Sequence, residues 1–147
     1  MSLKYLLDTN VLSEPLTPAP DPNLMEKLRQ RSGEIATAAP VWHELVYGCR
    51  RLPHSKKRAV IERYLREVIE GTVPILPYDA ASAAWHGEER ARLAKTGDTP
   101  PFVDGQIASI AQVNGLILVT RNTADFKRFE GVRVENWFGR PRLKSIR

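Results

Sequence analysis

A chain of 147 residues, 42% hydrophobic and 27% charged, has the length of one domain with its own core. A single cysteine, Cys49, excludes an intrachain disulfide and suits a reducing cytoplasm; the apolar run after Met1-Ser2-Leu3-Lys4 is too short for a signal peptide, and no run approaches the roughly 18 residues of a membrane span. The formal net charge of +5 favours a polyanionic partner, nucleic acid first.

The first apolar run, residues 3–7, ends abruptly in Asp8-Thr9-Asn10. It fits a short buried strand of a parallel sheet. Asp8 then stands at the strand's carboxyl end, the edge where open α/β sheets bind ligands. The competing account is that Asp8 or Asn10 only caps the next helix. That helix, residues 11–14, is expected to stop at Pro15, with Pro18, Pro20 and Pro22 punctuating a loop. Residues 23–31 read as a helix with Leu24, Met25 and Leu28 inward, ended by Gly33. Residues 35–38 are a second strand. Pro40 suits the first turn of a helix over residues 41–51. Its inward face is read from Val41, Leu45 and Gly48, with Glu44 on the same face. A carboxylate among apolar neighbours needs a compensating partner; otherwise Glu44 is a boundary residue that reaches solvent.

Pro53 breaks the chain, and a long helix is expected from His54 or Ser55 to Glu70. Val60, Ile61, Tyr64, Leu65, Val68 and Ile69 form its apolar stripe. Lys56, Lys57, Arg58, Arg63 and Arg66 make either a solvated basic face or a phosphate-contacting one. Residues 73–77 read as a third strand. Asp79 is assigned as the N-cap of a helix over residues 80–95. Ala80, Ala83, Ala84 and Gly87 permit close packing there, and Glu88, Glu89, Arg90 and Arg92 are placed on the wet side. Residues 102–114 are helical, with Val103, Ile107, Ile110 and Ala111 inward and Asn114-Gly115 as the stop. Asp104 lies in the first turn, near the core edge, where the helix dipole by itself favours an anion. Residues 116–119 are a fourth strand. It leads into Thr120-Arg121-Asn122-Thr123-Ala124-Asp125-Phe126, repeating the opening sequence of strand, polar turn and short helix. Asn122 and Asp125, three apart, can share a face. Residues 132–134 suit an edge strand, and Arg140, Arg142, Lys144 and Arg147 a basic tail.

Strand ends of one direction share one edge of a parallel sheet, and right-handed crossovers return the chain there. Asp8, Glu44, Asp104 and Asp125 can therefore converge in a cleft, where they repel one another unless a divalent cation neutralises them. An all-oxygen ligand set suits Mg²⁺ or Mn²⁺; three histidines and one cysteine offer no zinc spacing. No nucleophile elbow, glycine-rich phosphate loop or helix-turn-helix signature is present.

Four stretches in order, Leu6-Leu7-Asp8-Thr9-Asn10-Val11-Leu12-Ser13-Glu14, His43-Glu44-Leu45-Val46-Tyr47-Gly48, Asp104-Gly105-Gln106-Ile107-Ala108 and Thr120 to Phe126, resemble the PIN domain. The resemblance is to VapC- and FitB-like toxins of bacterial toxin–antitoxin modules and covers Leu6 to about Trp137. It implies a three-layer α/β/α sandwich around a mainly parallel sheet, with a PIN domain over residues 1–138 and a basic tail over 139–147. It also implies a Mg²⁺- or Mn²⁺-dependent endoribonuclease of the cytoplasm, commonly a homodimer, silenced by a cognate antitoxin. Asp8, Glu44 and Asp104 match the family's first three acids. The fourth falls either where this chain has Asn122 or at Asp125. Asp8 and Asp104 are expected to hold the metal most directly, with Glu44 and Asp125 completing the set. Thr9, Thr120 and Asn122 would bind water or phosphate, and Arg121 the RNA backbone. Two alternatives remain open at this point: a PIN nuclease of RNA processing outside any toxin module, and a PIN module that binds metal or nucleic acid without turnover.

Overall fold

The computed structural model describes residues 2–139. Five parallel strands form one sheet in the order β3-β2-β1-β4-β5. They are β1 (Tyr5–Leu7), β2 (Ile35–Ala38), β3 (Ile75–Leu76), β4 (Ile117–Val119) and β5 (Val134–Glu135). The helices are α1 (Thr9–Ser13), α2 (Pro22–Gln30), α3 (Ala39–Arg50), α4 (Lys56–Arg63), α5 (Ala80–Ala94), α6 (Phe102–Val113) and α7 (Thr123–Phe126). Every residue of β1 and β2 is buried, which an all-parallel sheet requires because helices cover both of its faces. The architecture is the expected three-layer α/β/α sandwich.

From β1 the chain steps outward to β2 and β3, then crosses back to β4 on the other side of β1. The strand order thus reverses between β1 and β4, whose residues pair Tyr5 with Ile117 and Leu7 with Val119. Such a switch point leaves a crevice at the carboxyl ends of the strands, and Asp8 and Thr120 are the residues that follow those two strands. The basic tail, apart from Gly139, lies outside the described residues.

Several local expectations need correction. The first α-helix ends at Ser13, just before Pro15, as expected, but it starts earlier, at Thr9, and a 3₁₀ turn, Glu14–Leu16, follows it with Pro15 in its first turn. Pro22 likewise opens α2 behind the Asp21 cap, whose carboxylate accepts from Leu24 N–H at 3.0 Å. The long helix changes pitch: after α4 the segment Tyr64–Glu70 is π-helical. Val60 and Val68 are exposed, while Leu65 and Ile69 are buried. Arg58 is not on the solvated face. It is buried, donating to the Leu52 carbonyl at 3.0 Å and to Glu62 at 3.1 Å.

On α5 the expected faces are exchanged. Ala80, Ala83, Ala84 and Gly87 are exposed, and the buried residues are Ser82, His86, Glu89 and Leu93. His86 and Glu89 can face inward here because each meets a partner, as buried polar groups must, whereas the buried Ser82 hydroxyl has none among the described residues. Glu89 accepts two hydrogen bonds from Arg92, at 2.8 and 2.7 Å, and one from Glu130 N–H at 2.6 Å. These bonds, Arg92 foremost, hold its carboxyl below the usual range. Asp79 caps α5 as expected, accepting from Ser82 N–H at 2.9 Å. On α6, Val103 is exposed and the buried run is Gly105 with Ile107 to Ala111. The edge strand sits at Val134–Glu135, slightly later than expected.

Candidate active site

Asp8 is built into the seam between β1 and β4. Its N–H donates to the Val119 carbonyl at 3.0 Å, which fixes the backbone at the strand's exit. One carboxylate oxygen caps α1, accepting from Thr9 N–H at 2.7 Å. The other accepts from the Thr120 hydroxyl at 2.8 Å across the seam. The capping account therefore holds for this side chain: one oxygen serves the cap, and the other is turned across the seam to Thr120. Asp8 is only 7% exposed. Burial, the largest influence, raises its carboxyl above the usual value, the bonds from Thr120, Thr9 and Asn10 oppose this, and Asp125 adds to it.

Asp104 arrives from α6, half-buried in the first turn. Burial raises its carboxyl, and the charges of Asp8 and then Asp125 raise it further, against a lowering by Arg128. Asp125 sits on α7, exposed and close enough to act on both. The structure thus groups Asp8, Asp104 and Asp125 into one field of mutual repulsion. Glu44 stands apart. Its helix packs on α1 and α6, but the buried residues of α3 are Val41, Leu45 and Cys49, and Glu44 lies on the exposed side. Among the described residues no three acidic, histidine or cysteine side chains are drawn into a preassembled metal cluster.

The expected polar residues divide in the same way. Thr120 is fully buried and is the hub, donating to Asp8 and accepting Asn122 N–H at 3.1 Å. Thr9 contributes its backbone N–H. Asn122 offers its backbone to Thr120, and its side chain makes no cap on α7. Arg121 lays its guanidinium over the Phe138 ring, 3.8 Å from the centroid, and acts on Asp21. Two residues lie outside the expected set. Asn10 accepts Arg121 N–H at 3.0 Å and reaches both Thr120, at 3.3 Å, and Asp8, at 3.4 Å. Its position two after Asp8 was the available signal. Arg128 pairs with Asp98 at 2.8 Å and donates to the Asp125 carbonyl at 3.1 Å; no local pattern marks it.

The buried Asp8 carboxylate, raised by Asp125, and the half-buried Asp104, raised by Asp8 and Asp125, offer oxygen ligands of the kind a hard divalent cation takes. A crevice at the switch point of a parallel sheet is where folds of this kind bind their ligands. Comparison with known proteins gives the family. The PIN domain family matches residues 5–132. The "tRNA(fMet)-specific endonuclease VapC" of Shigella flexneri is 37% identical over 138 residues, spanning 92% of this chain and 98% of that protein. "Toxin FitB" of Neisseria gonorrhoeae is 34% identical over 124 residues, 82% and 89% of the two chains. Among solved structures, the DNA-bound VapBC of Salmonella typhimurium superposes with a TM-score of 0.81 at 29% identity, covering 92% of this chain and 98% of that one. The chain belongs to the PIN-domain family, among its VapC- and FitB-like ribonuclease toxins.

Proposed function

We propose that the chain is a divalent-metal-dependent endoribonuclease, using Mg²⁺ or Mn²⁺, that acts in the cytoplasm as the toxin of a bacterial toxin–antitoxin pair. The observation that carries this reading is the group of Asp8, Asp104 and Asp125 at the strand-end crevice, where Asp125 acts on both of the others and Asp8 acts on Asp104. Asp8 and Asp104 would hold the ion most directly, with Asp125 and Glu44 completing the set. When bound, such an ion neutralises the carboxylates and stabilises charge developing on the scissile phosphate. Thr120, Thr9 and Asn10 fix the Asp8 oxygens in place, so the carboxylate needs no reorientation as charge develops. Glu44, exposed on α3, would have to turn inward to join the other acids. The exposed Lys56, Lys57, Arg63 and Arg66 offer a salt-sensitive, sequence-blind hold on RNA.

Relatives named as endonuclease and toxin, together with the four candidate acids, favour this over a non-catalytic module or a processing nuclease outside a toxin pair. The test is brief expression of the wild-type chain beside Asp8→Asn, mapping new RNA ends, then co-expression with whatever small reading frame adjoins its own. Wild type is expected to arrest growth and leave discrete RNA ends, the variant neither, and the neighbour to co-purify and silence cleavage. A wild-type chain that is harmless and purifies alone contradicts the toxin reading.

The homodimer belongs to the same proposal. A two-fold pair would align two crevices along one groove. The exposed apolar Tyr47 on α3, Val60 on α4 and Val68 just after α4 are side chains such an interface would cover. Light scattering at micromolar concentration is expected to give twice the chain mass of 16.6 kDa; a single-chain mass rejects the dimer.

A further inference from the structure

Between α5 and α6 the packing is closer than side chains ordinarily permit. A Cβ placed on Gly105 would lie 2.0 Å from His86 Nε2, 2.5 Å from Cδ2 and 2.9 Å from Cε1. No flexible chain end is involved: the imidazole is 2% exposed and held on several sides. The Tyr78 hydroxyl lies 2.8 Å from Nδ1, and the Phe102 ring packs against the imidazole at 4.8 Å between centroids. The ring therefore fills a notch that only glycine leaves open. Glycine is disfavoured inside a helix, and here the seat of the ring is what requires it.

The notch lies in the first turn of α6, beside Asp104 in the chain. Asp8 is fixed independently, by Thr120 and Thr9. The spacing between the two carboxylates accordingly depends on how deeply α6 seats on α5. We propose that His86 is a positioning residue: by filling the notch at Gly105 it sets where Asp104 stands relative to Asp8, and with it the affinity for the divalent cation. This rests on the metal reading above. Burial, and secondarily Arg90, holds the imidazole below its ordinary pKa, so the ring spaces the helices without bringing a charge to the acidic group.

The test is direct Mn²⁺ titration of the purified full-length chain, following free Mn²⁺ by electron paramagnetic resonance without RNA, with a thermal melt of each variant. Gly105→Ala pushes α6 off the ring and is expected to weaken Mn²⁺ binding by about tenfold or more, the scale on which supporting residues tune metal sites. His86→Ala in the Gly105→Ala background makes room for the new methyl and is expected to restore much of the affinity, whereas the same change alone weakens it. Such a reversal of sign is the signature of direct coupling. If Gly105→Ala does not fold, His86→Ala alone carries the test. Variants that melt earlier yet bind Mn²⁺ as wild type does overturn the positioning role and leave ordinary packing. Wild type that takes up no Mn²⁺ overturns the metal reading itself, a distinct result.

Discussion

Asp8→Asn and, separately, Asp104→Asn are expected to reduce RNA cleavage on the order of 10³-fold, because each removes a charge that the proposed ion needs. Both variants are expected to fold, with melting temperatures at pH 7 equal to or above wild type. The sign follows from linkage. Burial, first, and neighbouring carboxylates raise both groups above their unfolded values. Their favourable contribution is present below the unfolded pKa of about 3.9 and is lost as pH rises through the folded pKa. At neutral pH they are ionised and strain the metal-free fold, and the amide removes that strain. Asn at position 8 keeps an oxygen for the Thr9 N–H and gives up the carboxylate that accepts from Thr120, which offsets part of the gain. Melts from pH 3 to 8 check the direction: the advantage of either variant should shrink toward acid. Full activity in either variant with Mg²⁺ present contradicts its assignment.

Asp125→Ala is expected to cost about tenfold more activity than Asn122→Ala, with excess Mn²⁺ recovering part of the loss. Asp125 brings a charge that acts on both Asp8 and Asp104. The useful contact of Asn122 is its backbone N–H to Thr120, which alanine retains. Neither change removes what anchors α7, since Phe126 is 2% exposed and Arg128 binds the Asp125 carbonyl rather than its side chain. Melting temperatures should therefore stay close to wild type. Equal losses in the two variants, or a lower melting temperature with an unaltered Mn²⁺ dependence, contradict this ranking.

The sheet was readable because buried parallel strands are short apolar runs with abrupt polar ends; Leu6-Leu7-Asp8 and Leu118-Val119-Thr120 state the switch point almost by themselves. Side-chain direction on the helices was less readable. With Gly48 taken as inward, Glu44 fell on the buried face of α3; with Cys49 inward, as the structure has it, the same residue lies outside. Alanine content misled on α5, whose inward face is Ser82, His86, Glu89 and Leu93. Hydropathy cannot show that a buried glutamate meets Arg92, or that a histidine meets a glycine on another helix. The π-helical stretch after Arg63 has no signature in apolar spacing, and a stripe that counts Val60 and Val68 as inward includes two exposed residues. Arg128 reaches Asp98 across 30 residues, a pairing that only the folded chain creates.

The central claim is that a divalent cation held by the strand-end carboxylates lets this chain cut RNA. The most direct measurement follows cleavage of total RNA by the purified, antitoxin-free chain as Mg²⁺ or Mn²⁺ is added, withdrawn with excess EDTA and restored. Cleavage should appear with the ion, stop with the chelator and return on replenishment, and Asp8→Asn should stay silent throughout. Cleavage that persists in EDTA, or an absence of cleavage by folded wild-type protein at every ion concentration, contradicts it.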